Sequence, residues 1–381
     1  MNSLFVLENP VKHYAWGSPK RIPRLLGIEN PEETPYAELW MGIHREGPST
    51  VRSEQGPVPL EDLIRGDPAR YLGPETVSAF GTLPFLFKVL GIAAPLSLQA
   101  HPNRAQARAG WERENRLGIP PAHPDRRYKD PNHKPELFCA LSRTRILAGF
   151  RDPALIDSDV RRFAARCPQP VRAALEDACA ALKTAGLRAF FAALHAPAFR
   201  DAWARRARHR ISRGSISGLA ARYPSDPAAL APLYLNALDL RPREAVPIPA
   251  GILHCYLSGF GVELMANSDN VLRGGLTTKP VDREALLEAL DFAPFTPEVF
   301  ALPESGGVYP KRCAEFSLRV LRDSPRLCAA GPTIALVTRG RVSITRGSQT
   351  LDVRKGAALF IPPAGDALLK GRYTLYAAGS P

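Results

Sequence analysis

Three segments of the chain carry side chains that suit metal binding or proton transfer. In the first, residues 95–102, the polar side chains of Ser97, Gln99 and His101 alternate with apolar ones. Successive side chains of a strand point to opposite faces, so a strand here would place the three polar groups on one face. A histidine on a strand is more often structural than a ligand, and this segment alone therefore predicts no site.

The second segment, residues 128–136, is dense in ionisable side chains, with His133, Lys134 and Glu136 close to its end. Its prolines restrict the backbone, and Glu136 leads into an apolar run that is predicted to form a strand. A carboxylate at the start of a strand, next to a lysine, can be a metal ligand or a general base. A solvated loop with ion pairs is an equally good interpretation of this segment alone.

The third segment, residues 251–282, is predicted to form two strands joined by a turn at residues 258–261. A polar loop follows the second strand. An arginine in such a loop suits a phosphate or an oxyanion, because its planar guanidinium group can donate two parallel hydrogen bonds. The candidate residues of this segment are His254, Tyr256, Glu263, Asp269 and Arg273.

Four residues of these segments form a plausible donor set for a metal ion. Gln99, His101, Glu136 and His254 would together supply two imidazole nitrogens and two oxygens. This set suits a divalent cation with room left for water. Inward-pointing residues of neighbouring strands meet inside a β-barrel, so a barrel would bring the four together.

The composition of the chain changes twice along its length. Residues 1–150 are rich in Pro, Gly and short apolar runs, which are typical of strands broken by turns. Residues 151–229 are rich in Ala and have apolar residues at helical spacing, which predicts several short helices. Strand-like runs then return, and one hairpin is predicted to turn near Arg339 and Gly340. The fold is therefore predicted to be mainly β with an α-helical insertion.

The three segments resemble the signatures of type I mannose-6-phosphate isomerases, zinc enzymes of the cupin superfamily. Residues 128–136 fit one long signature and residues 254–282 fit the other, with Cys255 where alanine is usual. Signatures with roughly a dozen fixed positions are far more specific than a lone short motif. Shorter family segments occur in the expected order: YAWGS at residues 14–18, AELWMGIH at residues 37–44 and LSLQAHP at residues 96–102.

The resemblance implies cupin jelly-roll barrels and a division of the chain into three parts. The expected parts are a catalytic barrel from residues 1–150 and 230–308, a helical insertion domain at residues 151–229, and a smaller C-terminal barrel at residues 309–381.

The resemblance also implies the reaction, which is the interconversion of D-mannose 6-phosphate and D-fructose 6-phosphate by proton transfer through an enediolate. One Zn²⁺ per chain would be held by Gln99, His101, Glu136 and His254. The candidate catalytic residues are Arg273 for enediolate stabilisation, Lys134 for substrate orientation or proton shuttling, Glu263 and Asp269 as acid–base groups, and His133 for ring opening. The candidate substrate-binding residues are Ser97, Lys88 and Arg273 for the phosphate, and Tyr256 and Trp16 for the pocket wall.

The net charge of +13 would fit nucleic acid, an acidic membrane surface or an anionic metabolite as a partner. The densest basic run, residues 205–210, contains no aromatic residue and is interpreted as a solvated helix face. No apolar run reaches the roughly 18–20 residues of a membrane-spanning helix, and no secretory signal is visible. No Cys-x-x-Cys pair is present, which disfavours a zinc ribbon or a thioredoxin-type redox site. A cytoplasmic protein with reduced thiols is expected. A small sugar phosphate is the expected partner, without nucleic acid or membrane, and a monomer is favoured with an oligomer left open.

The sequence is also compatible with two other functions. A related cupin could bind iron for a dioxygenase reaction, since two histidines and one carboxylate suit that metal as well. A sugar-phosphate sensor on the same fold would bind its ligand without turnover, because a fold alone does not fix a function.

Overall fold

The computed structural model describes residues 4–53, 56–206, 215–363 and 365–380, and it is built mainly from β-strands with helices in the middle of the chain. The prediction of a mainly β fold with a helical insertion is confirmed. The strands are β1 (Phe5–Glu8), β2 (Val11–Lys12), β3 (Glu38–Met41), β4 (Thr50–Ser53), β5 (Gly56–Pro59), β6 (Phe85–Ile92), β7 (Leu98–Ala100), β8 (Glu136–Ala140), β9 (Thr144–Phe150), β10 (Leu235–Leu240), β11 (Glu244–Ile248), β12 (His254–Ala266), β13 (Leu272–Gly275), β14 (Phe300–Ala301), β15 (Gly306–Val308), β16 (Ser317–Arg322), β17 (Arg326–Cys328), β18 (Thr333–Arg346), β19 (Gln349–Arg354), β20 (Ala358–Ile361) and β21 (Asp366–Gly379).

Most of the helices lie between β9 and β10 or flank the strands of the first half. The α-helices are α1 (Arg21–Leu26), α2 (Leu60–Gly66), α3 (Pro68–Phe80), α4 (Arg104–Arg116), α5 (Pro153–Ala164), α6 (Gln169–His195), α7 (Pro197–Arg206), α8 (Ser215–Arg222), α9 (Ala231–Tyr234) and α10 (Arg283–Ala289), and Pro227–Leu230 forms a 3₁₀ turn. Within the described residues, no helix is both long and apolar enough to span a membrane. The basic run at 205–210 begins at the end of α7, and residues 207–214 lie outside the described residues.

The strands form two antiparallel sheets. One has the order β15-β16-β21-β18-β20-β1-β4-β5, with β17 on β21 and β19 on β18. The other has the order β14-β11-β8-β12-β6-β3-β2, with β7 and β9 also pairing with β12, β13 with β7 and β10 with β9. Within the described residues neither strand order closes on itself, so the predicted barrels are open sheets.

The first strand of the chain lies in the sheet of the last strands, because β1 pairs with β20 on one side and with β4 on the other. One apolar cluster accordingly contains residues from both ends of the chain, such as Leu7 and Phe360. One sheet thus contains strands from both the predicted catalytic barrel and the predicted C-terminal barrel. The boundaries of the three predicted domains stay a prediction.

The helical segment supports the back of the strands that carry the candidate metal ligands. Leu98 of β7, Leu272 of β13 and Cys255 of β12 are buried in one cluster with helical residues such as Phe190 and Trp203. Each of these strand residues neighbours a polar candidate in the sequence, so the alternation of the strand turns that candidate to the opposite side. Burial of the apolar side therefore fixes which way the polar candidates face.

The predicted turn at residues 258–261 is wrong, because β12 continues through it as one long strand. The register against β9 shifts between Tyr256 and Ser258, which marks a bulge. Gly259 has a φ of 142°, and a Cβ there would lie 2.2 Å from Thr144 Oγ1. The glycine permits a close strand approach, which the sequence pattern does not distinguish from a turn.

The predicted hairpin turn near Arg339 and Gly340 is wrong for the same reason. Strand β18 runs through both residues, and the chain reverses between Arg346 and Gln349. Gly340 has a φ of 77°, and a Cβ there would lie 1.9 Å from the carbonyl oxygen of Arg372. A glycine is required because the neighbouring strand comes too close for any side chain.

Candidate active site

Strand β12 links the segments that carry the predicted metal ligands. His254, the first residue of β12, lies opposite Gln99 of β7. Glu136, the first residue of β8, lies opposite Met265 near the other end of β12. His101 follows β7 directly, and its carbonyl oxygen accepts a hydrogen bond from the backbone N–H of Gly251. The register thus places His254 and Glu136 at opposite ends of β12, and the contact between their side chains shows that the strand curves to bring these ends together.

His101, Glu136 and His254 form a buried cluster whose ligand atoms all lie within 4.8 Å of one another. His101 Nε2 lies 3.1 Å from Glu136 Oε1, and His254 Nε2 lies 3.4 Å from Glu136 Oε2. The side chains of all three residues are at most 1% exposed to solvent. The two imidazoles thus flank one carboxylate in a site closed to bulk water.

The tautomers of the two imidazoles are set by backbone carbonyl groups. His101 Nδ1 donates to the carbonyl oxygen of Asn270 at 2.7 Å, and His254 Nδ1 donates to that of Ile252 at 2.9 Å. Both Nε2 atoms are then left with lone pairs directed at the Glu136 carboxylate, and within the described residues His101 Nε2 has no hydrogen-bond partner. Burial and the nearby Lys134 ammonium lower the pKa of His101 to about 4, which keeps its ring neutral. Lone pairs held this close repel each other unless a cation lies between them, so the residues fit a divalent metal.

Gln99 lies beside this cluster, with its side-chain amide nitrogen 3.5 Å from His254 Nε2. Its amide oxygen accepts a hydrogen bond from Ser97 Oγ at 2.8 Å. The two ends of an amide are nearly isosteric, and rotation of the group by half a turn would direct the oxygen to the cluster. Gln99 is thus placed where it could serve as a fourth ligand, with Ser97 beside it.

Two further groups contact the central carboxylate. Lys134 Nζ lies 3.1 Å from Glu136 Oε1, and the Tyr256 hydroxyl donates to Glu136 Oε2 at 3.2 Å. Burial alone would raise the pKa of Glu136, but the Lys134 ammonium and the two imidazoles lower it well below its ordinary value. The carboxylate therefore stays ionised.

A cavity of about 650 Å³ opens beside the cluster and is lined by most of the predicted site residues. Both charge signs and several aromatic rings contribute to its wall, which suits a polar ligand of sugar-phosphate size. The predicted residues on the wall are Trp16, Lys88, Ser97, Gln99, Lys134, Glu136, Tyr256, Glu263, Asp269 and Arg273. Trp16 also packs against an apolar cluster that includes Leu90 and Ile248, so it serves the core and the wall together.

A buried charge cluster lies on one side of this cavity. Lys88 Nζ is 3.3 Å from Glu263 Oε2 and 3.8 Å from Glu38 Oε2. Burial alone would lower the pKa of Lys88, but Glu38 and Glu263 outweigh it and raise that pKa above its ordinary value. Burial and the Glu136 carboxylate raise the pKa of Glu263. Lys88, predicted as a phosphate ligand, is thus already engaged by two carboxylates.

Asp269 forms a second polar cluster on the wall. His44 Nε2 lies 2.9 Å from Asp269 Oδ1, and Arg45 donates to Asp269 Oδ2 through two nitrogens. Burial alone would raise the pKa of Asp269, but His44 and Arg45 lower it to about 2. Asp269 is therefore an ionised carboxylate at neutral pH.

Arg273 is the register partner of Gln99 across β13 and β7. It lines the cavity with Ser97 and with Lys279, which lies six residues further along. Burial lowers the pKa of Arg273, and burial together with the Arg273 charge lowers the pKa of Lys279. Arg273 and Lys279 repel each other on the cavity wall, and an anion bound between them would relieve that repulsion.

His133 is not among the residues that line this cavity. Its Nε2 is 2.6 Å from Glu315 Oε1, and Arg104 donates to the same oxygen at 2.6 Å. These three residues line a different cavity of about 290 Å³. Lys134 and His133 thus line different cavities, and the predicted ring-opening role of His133 has no support from its position.

Several wall residues were missed by the sequence reasoning. Glu38, Trp40 and His44 lie within the AELWMGIH segment, whose alternation could have identified Glu38 and Trp40 as neighbours on one face. Lys279 lies inside the second long signature. Asn270 carries no charge and lies in a loop, and nothing in its sequence context signals its contact with His101.

Comparison with known proteins identifies close similarities along the whole chain. A family model described as phosphomannose isomerase type I, catalytic domain, matches residues 4–153. The mannose-6-phosphate isomerase of Escherichia coli (strain K12) is 36% identical over 377 residues, covering 93% of this chain and 94% of that protein. The Homo sapiens mannose-6-phosphate isomerase is 32% identical over 326 residues, covering 76% of this chain and 74% of the relative.

A solved structure supports the same relationship. The crystal structure of mannose 6-phosphate isomerase from Salmonella typhimurium bound to substrate and to a zinc atom superposes with a TM-score of 0.87 at 31% identity, covering 100% of both chains. Similarity of this extent confirms the predicted cupin fold.

Proposed function

The chain belongs to the type I mannose-6-phosphate isomerase family, and on that premise we propose that it interconverts D-mannose 6-phosphate and D-fructose 6-phosphate with one bound Zn²⁺. The observation that carries the proposal is the buried cluster of His101, Glu136 and His254 beside a cavity of about 650 Å³ that also contains acid–base groups. An aldose–ketose isomerase needs both, because it must stabilise an enediolate and move a proton between adjacent carbons.

His101, Glu136 and His254 would hold the zinc ion, with Gln99 as the fourth ligand. When bound, the ion supplies Lewis-acid polarisation of the sugar oxygens. The backbone carbonyls that receive the two Nδ1–H groups keep both rings in the tautomer that a metal ligand needs. Tyr256 and Lys134 orient the Glu136 carboxylate between the two rings.

Glu263 is the best-supported group for moving the proton. It is buried on the cavity wall, and burial and the Glu136 carboxylate raise its pKa above the ordinary value, which favours proton exchange by a carboxyl group. Lys88 holds the carboxylate from one side at 3.3 Å. Asp269, whose pKa is low, is suited to accepting hydrogen bonds from sugar hydroxyls rather than to exchanging protons.

Arg273 and Lys279 are proposed for the anionic parts of the substrate. Arg273 lies opposite Gln99 in the pairing of β13 with β7 and lines the cavity, where its positive charge would stabilise an enediolate formed near the cluster. Lys279 lies further along the same wall and suits the phosphate, together with Ser97. Lys134, on the wall and in contact with Glu136, would orient the substrate hydroxyls.

The two alternatives have less support. A sensor has little use for a buried Lys88–Glu263 pair with a raised carboxylate pKa next to a metal site. A dioxygenase-type cupin would not need a wall with Arg273 and Lys279. A cytoplasmic location and a monomeric state stay predictions from the sequence.

The proposal is tested by a coupled assay of the purified protein with mannose 6-phosphate, before and after treatment with a chelator. Turnover that disappears on chelation and returns with zinc is the expected result. Binding of mannose 6-phosphate by the zinc-loaded protein without turnover would favour the sensor. Activity that survives complete removal of the metal would contradict the role assigned to the cluster.

A further inference from the structure

A second cavity, of about 600 Å³, adjoins the catalytic cavity on the side of the helical segment. The end of α6, the end of α8 and the loop between β13 and α10 contribute to its wall. The two cavities share Arg222, Tyr223, Thr277 and Lys279. The remaining wall residues of this basic cavity have no part in the proposed isomerase chemistry.

Positive charge dominates the wall of the basic cavity, where three arginines, Arg200, Arg222 and Arg283, join Lys279. Within the described residues none of the three guanidinium groups forms an ion pair. Asp226 is the acidic residue of this wall, but its oxygens accept hydrogen bonds from the backbone N–H groups of Ala228 and Leu276 at 2.9 and 2.6 Å. The Asp226 carboxylate therefore offsets only part of this charge, and the wall of the basic cavity keeps a net positive charge.

Two polar atoms on the same wall are buried without a partner. His195 is 8% exposed, and its Nε2 has no hydrogen-bond partner among the described residues. The Nε of Arg283 is buried and unpartnered in the same part of the structure. Burial is the main reason that the pKa of His195 is lowered to about 3, and the charges of Arg283 and Arg200 add to it. The ring is therefore neutral, and its N–H can donate a hydrogen bond. Unsatisfied donors next to mutually repelling cations are costly unless a ligand fills the space.

We propose that the basic cavity binds a phosphate dianion, free or as the phosphate group of an ester, between Arg200 and Arg283. Guanidinium groups bind phosphate through two parallel hydrogen bonds, and here two come from different helices. The volume exceeds what a single inorganic ion needs and leaves room for the organic part of a small ester.

Occupancy of the basic cavity would also affect the catalytic cavity, because Thr277 and Lys279 belong to both walls. An anion bound in the basic cavity would compete with the phosphate of the substrate for the Lys279 ammonium group. The expected effect is a higher KM for the sugar phosphate with kcat unchanged, since the reacting carbons lie near the metal cluster.

The test is calorimetric titration of the zinc-loaded protein with inorganic phosphate and, separately, with adenosine 5′-monophosphate. Arg200→Gln and Arg283→Gln remove one charge each from two different elements of the wall. The control is Arg166→Gln, which removes the same charge from an exposed position outside both cavities. We expect the two wall variants to weaken binding about tenfold or more, as loss of a hydrogen bond to a charged group does, and the control to match the unsubstituted protein.

Arg273→Gln separates this site from the catalytic cavity. Binding that survives in Arg273→Gln and is lost in Arg283→Gln belongs to the basic cavity and supports the proposal. Tighter binding of the nucleotide than of inorganic phosphate would identify an ester as the ligand, and the reverse would identify free phosphate. Binding of neither probe, or equal binding by the wall variants and the control, would overturn the proposal. Because Arg200 and Arg283 lie outside the catalytic machinery, their variants should keep the basal kcat, which also verifies folding.

Discussion

Lys88 and Glu263 lie directly opposite each other on β6 and β12, and their charged groups are 3.3 Å apart in the wall of the catalytic cavity. A second carboxylate, Glu38, approaches the same ammonium group from β3 at 3.8 Å. Trp40, the register partner of Lys88, donates its indole N–H to Glu38 at 2.5 Å. One buried cation therefore serves two carboxylates, and burial and the Glu136 carboxylate raise the pKa of one of them, Glu263.

Replacement of Glu263 by glutamine should lower kcat by about 10²–10⁴-fold, which is the usual contribution of a positioned acid–base group. The amide keeps the shape of the side chain but cannot exchange a proton. Isomerase turnover and bound zinc are measured together, and zinc content should be unchanged.

Glu38→Gln is the matched control, because it removes a negative charge from the same lysine. It should reduce kcat much less, since Glu38 binds Lys88 and Trp40 rather than the substrate. Equal losses in the two variants would mean that the charge of the cluster matters and that Glu263 has no special part in proton transfer.

His101→Ala should abolish zinc retention and isomerase activity without unfolding the chain. Removal of the imidazole deletes one of three clustered donors, while the surrounding strands are held by the apolar residues behind them. Zinc content after dialysis, turnover and circular dichroism are the measurements. His123→Ala, at an exposed position, is the control. A His101→Ala protein that keeps its zinc and turns over normally would show that the metal lies elsewhere.

The direction of the side chains in the site could be predicted from the sequence, because alternation along a strand has only two phases. Leu98 and Ala100 are buried in the core, and Gln99 between them faces the cavity, as the alternation predicts. The sequence could not show where strands end when glycine allows a close approach instead of a turn. The segments around Gly259 and Gly340 both contain turn-forming residues, but in each case the neighbouring strand determines that the strand continues.

Gly259→Ala tests this explanation of the long strand β12. A Cβ at this position would lie 2.2 Å from Thr144 Oγ1, and the φ of 142° is one that side chains rarely adopt. We expect a loss of unfolding free energy of about 1–3 kcal/mol, measured by urea denaturation. Gly218→Ala in α8, where nothing lies within 4 Å, should leave stability equal or slightly higher. Unchanged stability in Gly259→Ala would mean that the bulge is not constrained by Thr144.

The metal ligands themselves could be predicted from the sequence, but the residues that position them could not. His44 and Asn270 contact site residues from loops, where no periodicity indicates which way a side chain points. His133 follows the same rule, because it is adjacent to Lys134 in the sequence but lines a different cavity. Its actual partner, Glu315, is 182 residues away and gives no signal in the local sequence.

Asp269 should contribute to stability only above moderately acidic pH. Its native pKa of about 2 lies below the ordinary value of 3.8, so the ionised carboxylate stabilises the fold above about pH 4 and loses this contribution as the pH falls toward 2. Asp269→Asn should therefore reduce the unfolding free energy by about 2 kcal/mol at pH 6, and the difference should shrink toward pH 2. His44→Gln should show the same pH window. A difference that is independent of pH between 2 and 6 would contradict the lowered pKa of Asp269.

Asn270 is expected to act as a positioning residue for the metal site. Its carbonyl oxygen accepts the hydrogen bond of His101 Nδ1, and its side chain binds the backbone of the 129–132 loop. The amide oxygen accepts from Lys129 N at 2.8 Å, and the amide nitrogen donates to Asp130 O at 2.8 Å and Asn132 O at 2.9 Å. One buried side chain thus ties the loop that precedes Glu136 to the carbonyl that orients His101.

Asn270→Ala should therefore lower zinc affinity by about 10–100-fold, the usual effect of losing a group that orients a ligand. Competition with a chelating dye measures this affinity. Asn236→Ala is the matched control, because Asn236 also donates to several backbone carbonyls, including those of Phe295 and Gly149, but lies two strands away from His254. It should lose stability and keep its zinc affinity. Since a general loss of packing would weaken zinc binding in both variants alike, only a loss confined to Asn270→Ala assigns the orientation of His101 to this residue.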